Sequence, residues 1–384
     1  MLAMTYKGPY RVKAIEKPMP EIEHPKDAIV RITRSCICGS DLHLYHGLVP
    51  DTRIGQTFGH EMVGIVEEVG ADVKNVKVGD RVVVPFNIFC GECYFCQKGL
   101  YGNCHNTNPN ATVSGGFYGY SHLTGGYNGG QAEYVRTPFA DAGLIKVPEA
   151  IDDENAVLCA DAFPTGYQAA EMANIKRGDS VVIFGAGPIG LFAAKCAWFM
   201  GAGRVLVVDE YDYRLEFARN FAQCETLNFR EVEDMVWYLK KESDWLGWDA
   251  AIEAAGCESR GSFMQRTLGL TLKLQGGSPV PLNWAIDSVR KGGNVSIIGV
   301  YGPIPNLVKI GDAMNKGINI RMAQASVKRN IDRCFHHIEA GHINPKDVIT
   351  HRIPLEEISE GYHIFSSKLD GCIKPMLIPP HARH

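Results

Sequence analysis

The chain has 384 residues, too many for one ordinary core, so two domains are expected. Apolar residues make up 45% and charged residues 21%, which excludes disorder and allows a sizeable core. A formal net charge of −4 gives no general attraction to nucleic acid or to an acidic membrane, and neither partner is expected.

The first residues are mixed and carry Pro and Gly, with no basic segment leading into an apolar one. A secretory route is therefore not expected, and the protein is read as cytoplasmic. Twelve cysteines in such a chain point to metal binding in a reducing compartment rather than to a disulfide framework.

From residue 10 to 84 the text is short β-like runs, 28–33, 62–69 and 81–85, broken by Gly and Pro. Between them lie Cys38, Ser40 and His43 within six residues, and then His60 beside Glu61. A soft thiolate, a hydroxyl, two imidazoles and a carboxylate are the inventory of a catalytic zinc site with a proton path. Such a site uses three protein ligands and leaves one position open. Taken singly, Cys38 also reads as a small buried hydrophobe and His60 as a strand cap.

Cys90, Cys93 and Cys96, with Cys104 eight residues on, allow four thiolates to surround one tetrahedral zinc. With no open position that zinc would be structural; an iron–sulfur cluster is the competing reading, and nothing else in the chain points to electron transfer. Residues 110–130 are rich in Gly, Tyr and Ser, and their aromatics predict an ordered loop lining a pocket rather than a linker. Strand returns at 131–135, and 144–148 closes the first domain.

Residues 152–173 read as a helix broken by Pro164 and Gly166, with Asp161 inside it. The apolar run 180–184 is a strand buried on both faces. It leads into Gly185, Ala186, Gly187, Pro188, Ile189 and Gly190, then a helix over 191–200 and a strand over 204–208 ending at Asp209. In that context the residues divide the work of holding a dinucleotide. Gly185 makes the turn, Gly187 lets backbone approach a pyrophosphate, Gly190 permits close packing, and Asp209 binds ribose hydroxyls. Glu210 beside Asp209 would repel a 2′-phosphate, which favours NAD over NADP, and Arg214 tempers that preference. The span 181–208 is interrupted by five glycines, a Pro, a Lys and an Arg, so it is no membrane span.

Further pairs follow: strand 249–254, helix 284–289, strand 294–300 and strand 318–323, with 257–281 read as an insertion, helical over 260–270. A helix at 330–340 and a closing strand at 373–378 end the chain, and no internal repeat is present.

Taken together, these motifs resemble the zinc-dependent medium-chain dehydrogenase/reductase family, the alcohol dehydrogenase superfamily, over nearly the whole length. The resemblance rests on Cys38, Ser40, Asp41 and His43; on Gly59-His60-Glu61 with Gly64; on Val78-Gly79-Asp80; on the four cysteines; and on the glycine fingerprint. It implies an α/β protein, with a GroES-like β-rich catalytic domain at 1–160 and 325–384 and a Rossmann domain with a doubly wound parallel sheet at 161–324. The cleft between the domains would hold zinc and nicotinamide. Cys38 and His60 match the first two catalytic ligands. The third, commonly a Cys four residues before Thr-Gly, is here Asp161 before Thr165-Gly166, with Cys159 as its rival. That departure resembles the branch of glutathione-independent formaldehyde dehydrogenases and related alcohol and polyol dehydrogenases. Glu61 is then an acid beside the metal or an occasional fourth ligand.

The resemblance implies hydride transfer between an alcohol, or an aldehyde or ketone in reverse, and NAD. The alcohol would bind zinc as alkoxide, and Ser40 would pass its proton to His43 at the protein surface. Some relatives carry a basic residue at the position of Gly39 to hold the pyrophosphate, and Lys374 is expected to replace it. Two zinc ions per chain, a small alcohol or aldehyde such as formaldehyde, and a homodimer or homotetramer paired through sheet edges near 293–302 complete the expectation. The alternatives are a polyol or sugar dehydrogenase on the same scaffold, and a non-catalytic zinc and nucleotide binder. Ser40, His43 and Glu61 argue against the second, because a structural zinc needs no proton relay.

Overall fold

A computed structural model of the chain describes residues 1–111, 113–258, 278–302 and 307–383. It separates into two units, Met1–Pro164 with Gln324–His384, and Thr165–Ala323. The helical part of the expected insertion, 260–270, lies outside the described residues.

The first unit is built on the strand Ala28–Cys36, whose Ile and Val side chains are buried. It pairs antiparallel with Met62–Val69 and with Tyr134–Thr137. Near its end it also pairs with Lys374–Ile378, where Met376 lies opposite Cys36. The C-terminal strand is thereby brought against the residues that precede Cys38. Arg81–Val84 extends the sheet, and Val82, Val83 and Val84 are all buried, which explains why this short run is uniformly apolar. A core of Met4, Leu42, Leu44, Phe58 and Tyr362 joins the N-terminal hairpin, the helix Gly39–Tyr45 and the helix Ile358–Ser367. Each fully buried side chain of this size contributes roughly 1.5–3 kcal/mol relative to exposure. That apolar anchoring holds the short Gly39–Tyr45 helix, which is too brief to persist alone.

The second unit is a six-stranded parallel sheet. Its order is Glu225–Asn228, Arg204–Asp209, Ser180–Phe184, Trp248–Glu253, Val289–Ile297 and Asn319–Met322. The chain moves outward from the Ser180 strand and then returns to build on its other side. The switch point thus falls between the Ser180 and Trp248 strands, where the glycine loop emerges. Residues 293–302, read from sequence as a sheet edge, begin inside Val289–Ile297, which is paired on both sides. The edge on that side is Asn319–Met322.

The expected helix 152–173 is two helices, Asp153–Leu158 and Ala162–Met172. The break falls at 159–161, ahead of Pro164, because a proline in the first turn has no hydrogen bond to lose. Residues 181–208 resolve into strand, helix and strand, and among the described residues no helix is long and apolar enough to cross a membrane.

Candidate functional site

Two groups of metal-ligating side chains form among the described residues, both in the first unit. In one, the sulfurs of Cys90, Cys93, Cys96 and Cys104 lie within 4.8 Å of one another. Cys90 and Cys96 sulfurs are 3.9 Å apart, as are those of Cys93 and Cys104, and all twelve cysteines are free thiols. A tetrahedral zinc with bonds of about 2.3 Å needs sulfur–sulfur edges of about 3.8 Å, so the set fits zinc and is far too open for disulfides. Backbone N–H groups of Glu92 and Cys93 donate to Cys90 Sγ, and that of Cys90 donates to Cys104 Sγ. Burial opposes ionisation of Cys93, but N–H donors from Cys96 and His105 bring its thiol down to about 6, while burial raises the thiols of Cys90 and Cys96. A thiolate-ready sulfur is what metal binding requires.

The other group is Cys38, His60, Glu61 and Asp161. Cys38 occupies the N-cap of the Gly39–Tyr45 helix, His60 and Glu61 precede the Met62–Val69 strand, and Asp161 stands just before the Ala162–Met172 helix. Cys38 Sγ is 3.7 Å from Asp161 Oδ2, and His60 Nε2 is 3.5 Å from the same oxygen. Ligation of one tetrahedral zinc predicts about 3.6 and 3.4 Å for these edges. Both edges at Asp161 therefore match one zinc, and the Cys38 and His60 donors lie within 4.8 Å of each other. Cys159 does not join them: it is fully buried, and its thiol donates to the Asn155 carbonyl one helical turn back.

Electrostatically the group calls for a cation. Burial works to lower the His60 pKa, but the Asp41 charge and hydrogen bonds with Asp161, Asp41 and Cys38 hold it well above the usual imidazole value. Burial also raises the Cys38 thiol and the Glu61 carboxyl, with Lys374 opposing both shifts.

Lys374, expected at a pyrophosphate, is only 1% exposed. Its ammonium lies 2.6 and 2.5 Å from the two oxygens of the fully buried Glu61. Burial disfavours its charge, and Glu61 with Cys38 and Cys36 more than restores it, so the Lys374 pKa is raised. The physical reason for this placement is register: strand pairing sets Lys374 beside the ligand segment, where a buried carboxylate needs a partner. Ser40 Oγ lies 3.2 Å from His60 Nε2, beside the ligands. His43, expected at the surface, is instead 4% exposed, because the Gly39–Tyr45 helix packs into the core.

The 110–130 loop is ordered where described. Phe117 and Tyr118 are buried, and Phe117 stacks edge-on against Phe86, which in turn meets the His60 ring. The amides of Gly129, Gly130 and Gln131 donate to the carbonyls of Thr57, Gly59 and Phe58, clamping the segment that carries His60. Sequence reading misses the role of Gln131 in this clamp; a single buried amide after a glycine run leaves no pattern in sequence.

In the second unit, Gly187 is the N-cap of Pro188–Phe199, with Pro188 first in the helix, Ile189 next and Gly190 in its first turn. A Cβ at Gly190 would lie 1.8 Å from the Gly185 carbonyl oxygen, so only glycine lets helix and turn meet. Asp209 is 8% exposed; one of its oxygens accepts the Ala186 N–H, and the other accepts those of Glu210 and Tyr211. Glu210 is paired with Arg230, and Arg214 lies over the rings of Tyr211 and Tyr213.

Residues 24–149 match the alcohol dehydrogenase GroES-like domain family. Over the full length the chain is 44% identical to the uncharacterized zinc-type alcohol dehydrogenase-like protein AdhB of Bacillus subtilis, covering 99% of this chain and all of that one. It is 32% identical to the glutathione-independent formaldehyde dehydrogenase of Pseudomonas aeruginosa, covering 98% and 97%. Among solved structures, alcohol dehydrogenase TADH from Thermus sp. ATN1 superimposes with a TM-score of 0.84 at 33% identity, covering 99% and 100%. The chain belongs to the zinc-type alcohol dehydrogenase family of medium-chain dehydrogenases/reductases.

Proposed function

We propose that this protein is a zinc- and NAD-dependent oxidoreductase that interconverts a small alcohol with its aldehyde or ketone, with formaldehyde or a short-chain alcohol as the substrate class. The observation that carries this reading is the convergence of Cys38 Sγ, His60 Nε2 and Asp161 Oδ2 from three separate segments, with edges of 3.5 and 3.7 Å and the Ser40 hydroxyl beside them. Kinship with a formaldehyde dehydrogenase at 32% identity supports the substrate class.

Cys38, His60 and Asp161 would hold the catalytic zinc, and Cys90, Cys93, Cys96 and Cys104 a structural one. Zinc bound at the first site supplies a Lewis acid that polarises the substrate oxygen and eases loss of its proton near neutral pH. The Ser40 hydroxyl would accept that proton while giving up its own, and His43, in the next turn of the same helix but buried, would be the acceptor. Glu61, within 4.8 Å of the other three donors, would be an acid beside the metal or a fourth ligand, and Lys374 holds both of its oxygens.

NAD would be held by Gly185, Gly187, Pro188, Ile189 and Gly190, with Asp209 toward the adenosine ribose and Arg214 flanking. It would supply the hydride acceptor. The acid pair Asp209 and Glu210 favours NAD over NADP, although Arg230 draws on the charge of Glu210. A homo-oligomer formed at the Asn319–Met322 edge fits the exposure there of Met322, with Ile310 and Met314 on the neighbouring helix. The test is a screen for NADH formation over short alcohols, aldehydes, polyols and sugars, with and without a chelator. Chelator-sensitive turnover of a small alcohol or aldehyde supports the proposal. Zinc-loaded protein that turns over nothing would reinstate the non-catalytic reading.

A further inference from the structure

We propose that Gln131 and Tyr362 are positioning residues for the catalytic metal, acting through Asp41 on His60; the proposal rests on the reading of His60 as a zinc ligand. Four side chains, all at most 6% exposed, form a line from the C-terminal helix to the ligand. The Tyr362 hydroxyl donates to Gln131 Oε1 at 2.8 Å. Gln131 Nε2 donates to Asp41 Oδ2 at 3.1 Å and to the Cys36 carbonyl at 3.2 Å. Asp41 Oδ2 also accepts the Cys38 N–H at 2.9 Å, and Asp41 Oδ1 faces His60 Nδ1 at 3.4 Å.

The chemistry of the line allows one orientation only. A carboxylate oxygen and a carbonyl accept but cannot donate, so the amide edge facing them must be NH₂. The opposite edge is then Oε1, which needs a donor, and the Tyr362 hydroxyl is that donor. With Oδ2 of Asp41 occupied by Gln131 and Cys38, Oδ1 is left for His60. Both Oδ1 and Nδ1 are buried and neither meets hydrogen-bond geometry with any group, so the polar atom each lies against is the other, at 3.4 Å. A ring that gives its Nδ1 proton to Asp41 presents the Nε2 lone pair on the side of Cys38 and Asp161.

The backbone is built to hold this line. Gln131 is pinned from both sides, its N–H to the Phe58 carbonyl and its carbonyl to the Met4 N–H. Gly59 has φ +95°, and a Cβ there would fall 2.4 Å from Gln131 Cγ, so the ligand loop rests directly on the glutamine side chain. Tyr362 packs on Tyr45 with ring centres 5.0 Å apart. The phenol is thus fixed independently of the bond it makes.

The experiment is a chelator competition for zinc, with thiolate-to-cobalt absorption of the Co²⁺-loaded protein as a second readout, on full-length Gln131→Leu, Tyr362→Phe and the double variant. Partners of a metal-ligating histidine are worth about 10–100-fold in metal affinity. Gln131→Leu is expected to weaken the catalytic site about 10-fold, and Tyr362→Phe about 3- to 10-fold, with the four-cysteine site unchanged as internal reference. Because the hydroxyl acts through the amide, the double variant should be no weaker than Gln131→Leu alone. Thr137→Val, which removes a buried hydrogen bond to the Ala28 carbonyl elsewhere in the unit, should lower Tm without releasing metal. Additive losses in the double variant, or metal release that merely follows Tm and includes Thr137→Val, would overturn the proposal. His60→Ala separates the two claims: if it keeps wild-type affinity at the site, the ligand reading itself fails.

Discussion

The buried pair Lys374–Glu61 can be tested by replacing Lys374 with Met, a side chain of similar length and no charge. The pair is 1% and 0% exposed at the side chains, with the ammonium 2.5–2.6 Å from both carboxylate oxygens. Neither charge is screened by water, so the low values typical of surface ion pairs do not apply. Removing one member of a buried pair leaves an uncompensated charge and costs about 3–5 kcal/mol. At 1.4 kcal/mol per decade this is a loss of roughly 150- to 4,000-fold in the folded-to-unfolded ratio. Converting Glu61 to Met as well removes the stranded charge, and the double variant should return to within about 1–2 kcal/mol of the parent. Urea unfolding is read on zinc-saturated and chelator-treated protein, because a cation at Cys38, His60 and Asp161 would offset part of the lost ammonium. The larger loss belongs to the chelated form. A cost below about 1 kcal/mol in both forms would refute the claim that this pair is desolvated and mutually dependent.

Gly190→Ala forces a methyl group to within 1.8 Å of the Gly185 oxygen. It should lower stability by about 1–3 kcal/mol and weaken NADH binding at least about 10-fold, read by urea unfolding and nucleotide fluorescence titration. Cys93→Ser should remove about one zinc per chain by elemental analysis and leave the 90–104 loop open to protease, while the Cys38 site keeps its metal. Burial pushes the Asp249 carboxyl up, but the Ser180 backbone N–H, the Arg290 guanidinium and the Ser180 hydroxyl outweigh it and hold the group below the ordinary carboxylate range. Its stabilising contribution is therefore present above the unfolded carboxylate value and is lost as pH falls through the folded one. Asp249→Asn should flatten that acid limb in pH-dependent unfolding.

Elements whose burial is uniform along the strand are legible in sequence. The run 180–184 coincides with Ser180–Phe184, since a strand covered on both faces carries a nearly unbroken apolar signal, while 62–69 coincides with Met62–Val69 because its apolar first half outweighs the exposed Glu67 and Glu68. The four cysteines are legible because their spacing alone constrains a tetrahedron. Glu225–Asn228, a half-buried edge strand, carries no such signal, and neither does Leu2–Gly8, whose pairing with Arg11–Glu16 depends on a turn with Tyr10 at positive φ. Around the candidate zinc site, Cys38, His60 and Asp161 can be named from residue type and from the family resemblance. Their supports cannot: Lys374, Gln131 and Tyr362 reach the site from segments 313, 90 and 231 positions away from the partners they bind. Contacts over such separations are set by sheet register and helix docking, which no local pattern encodes. Motif alone accordingly assigns Lys374 to the cofactor and His43 to the surface, whereas the fold puts one on Glu61 and buries the other.

Asp161 is proposed to complete a catalytic zinc site with Cys38 and His60. Zinc content and turnover of Asp161→Ala, measured on the same preparation as the parent, test it most directly, with Asp161→Cys restoring a donor at that position. Asp161→Ala should fall from two zinc ions per chain to one and lose turnover by about 100-fold or more, and Asp161→Cys should recover the metal. Two zinc ions per chain and full turnover in Asp161→Ala would contradict it.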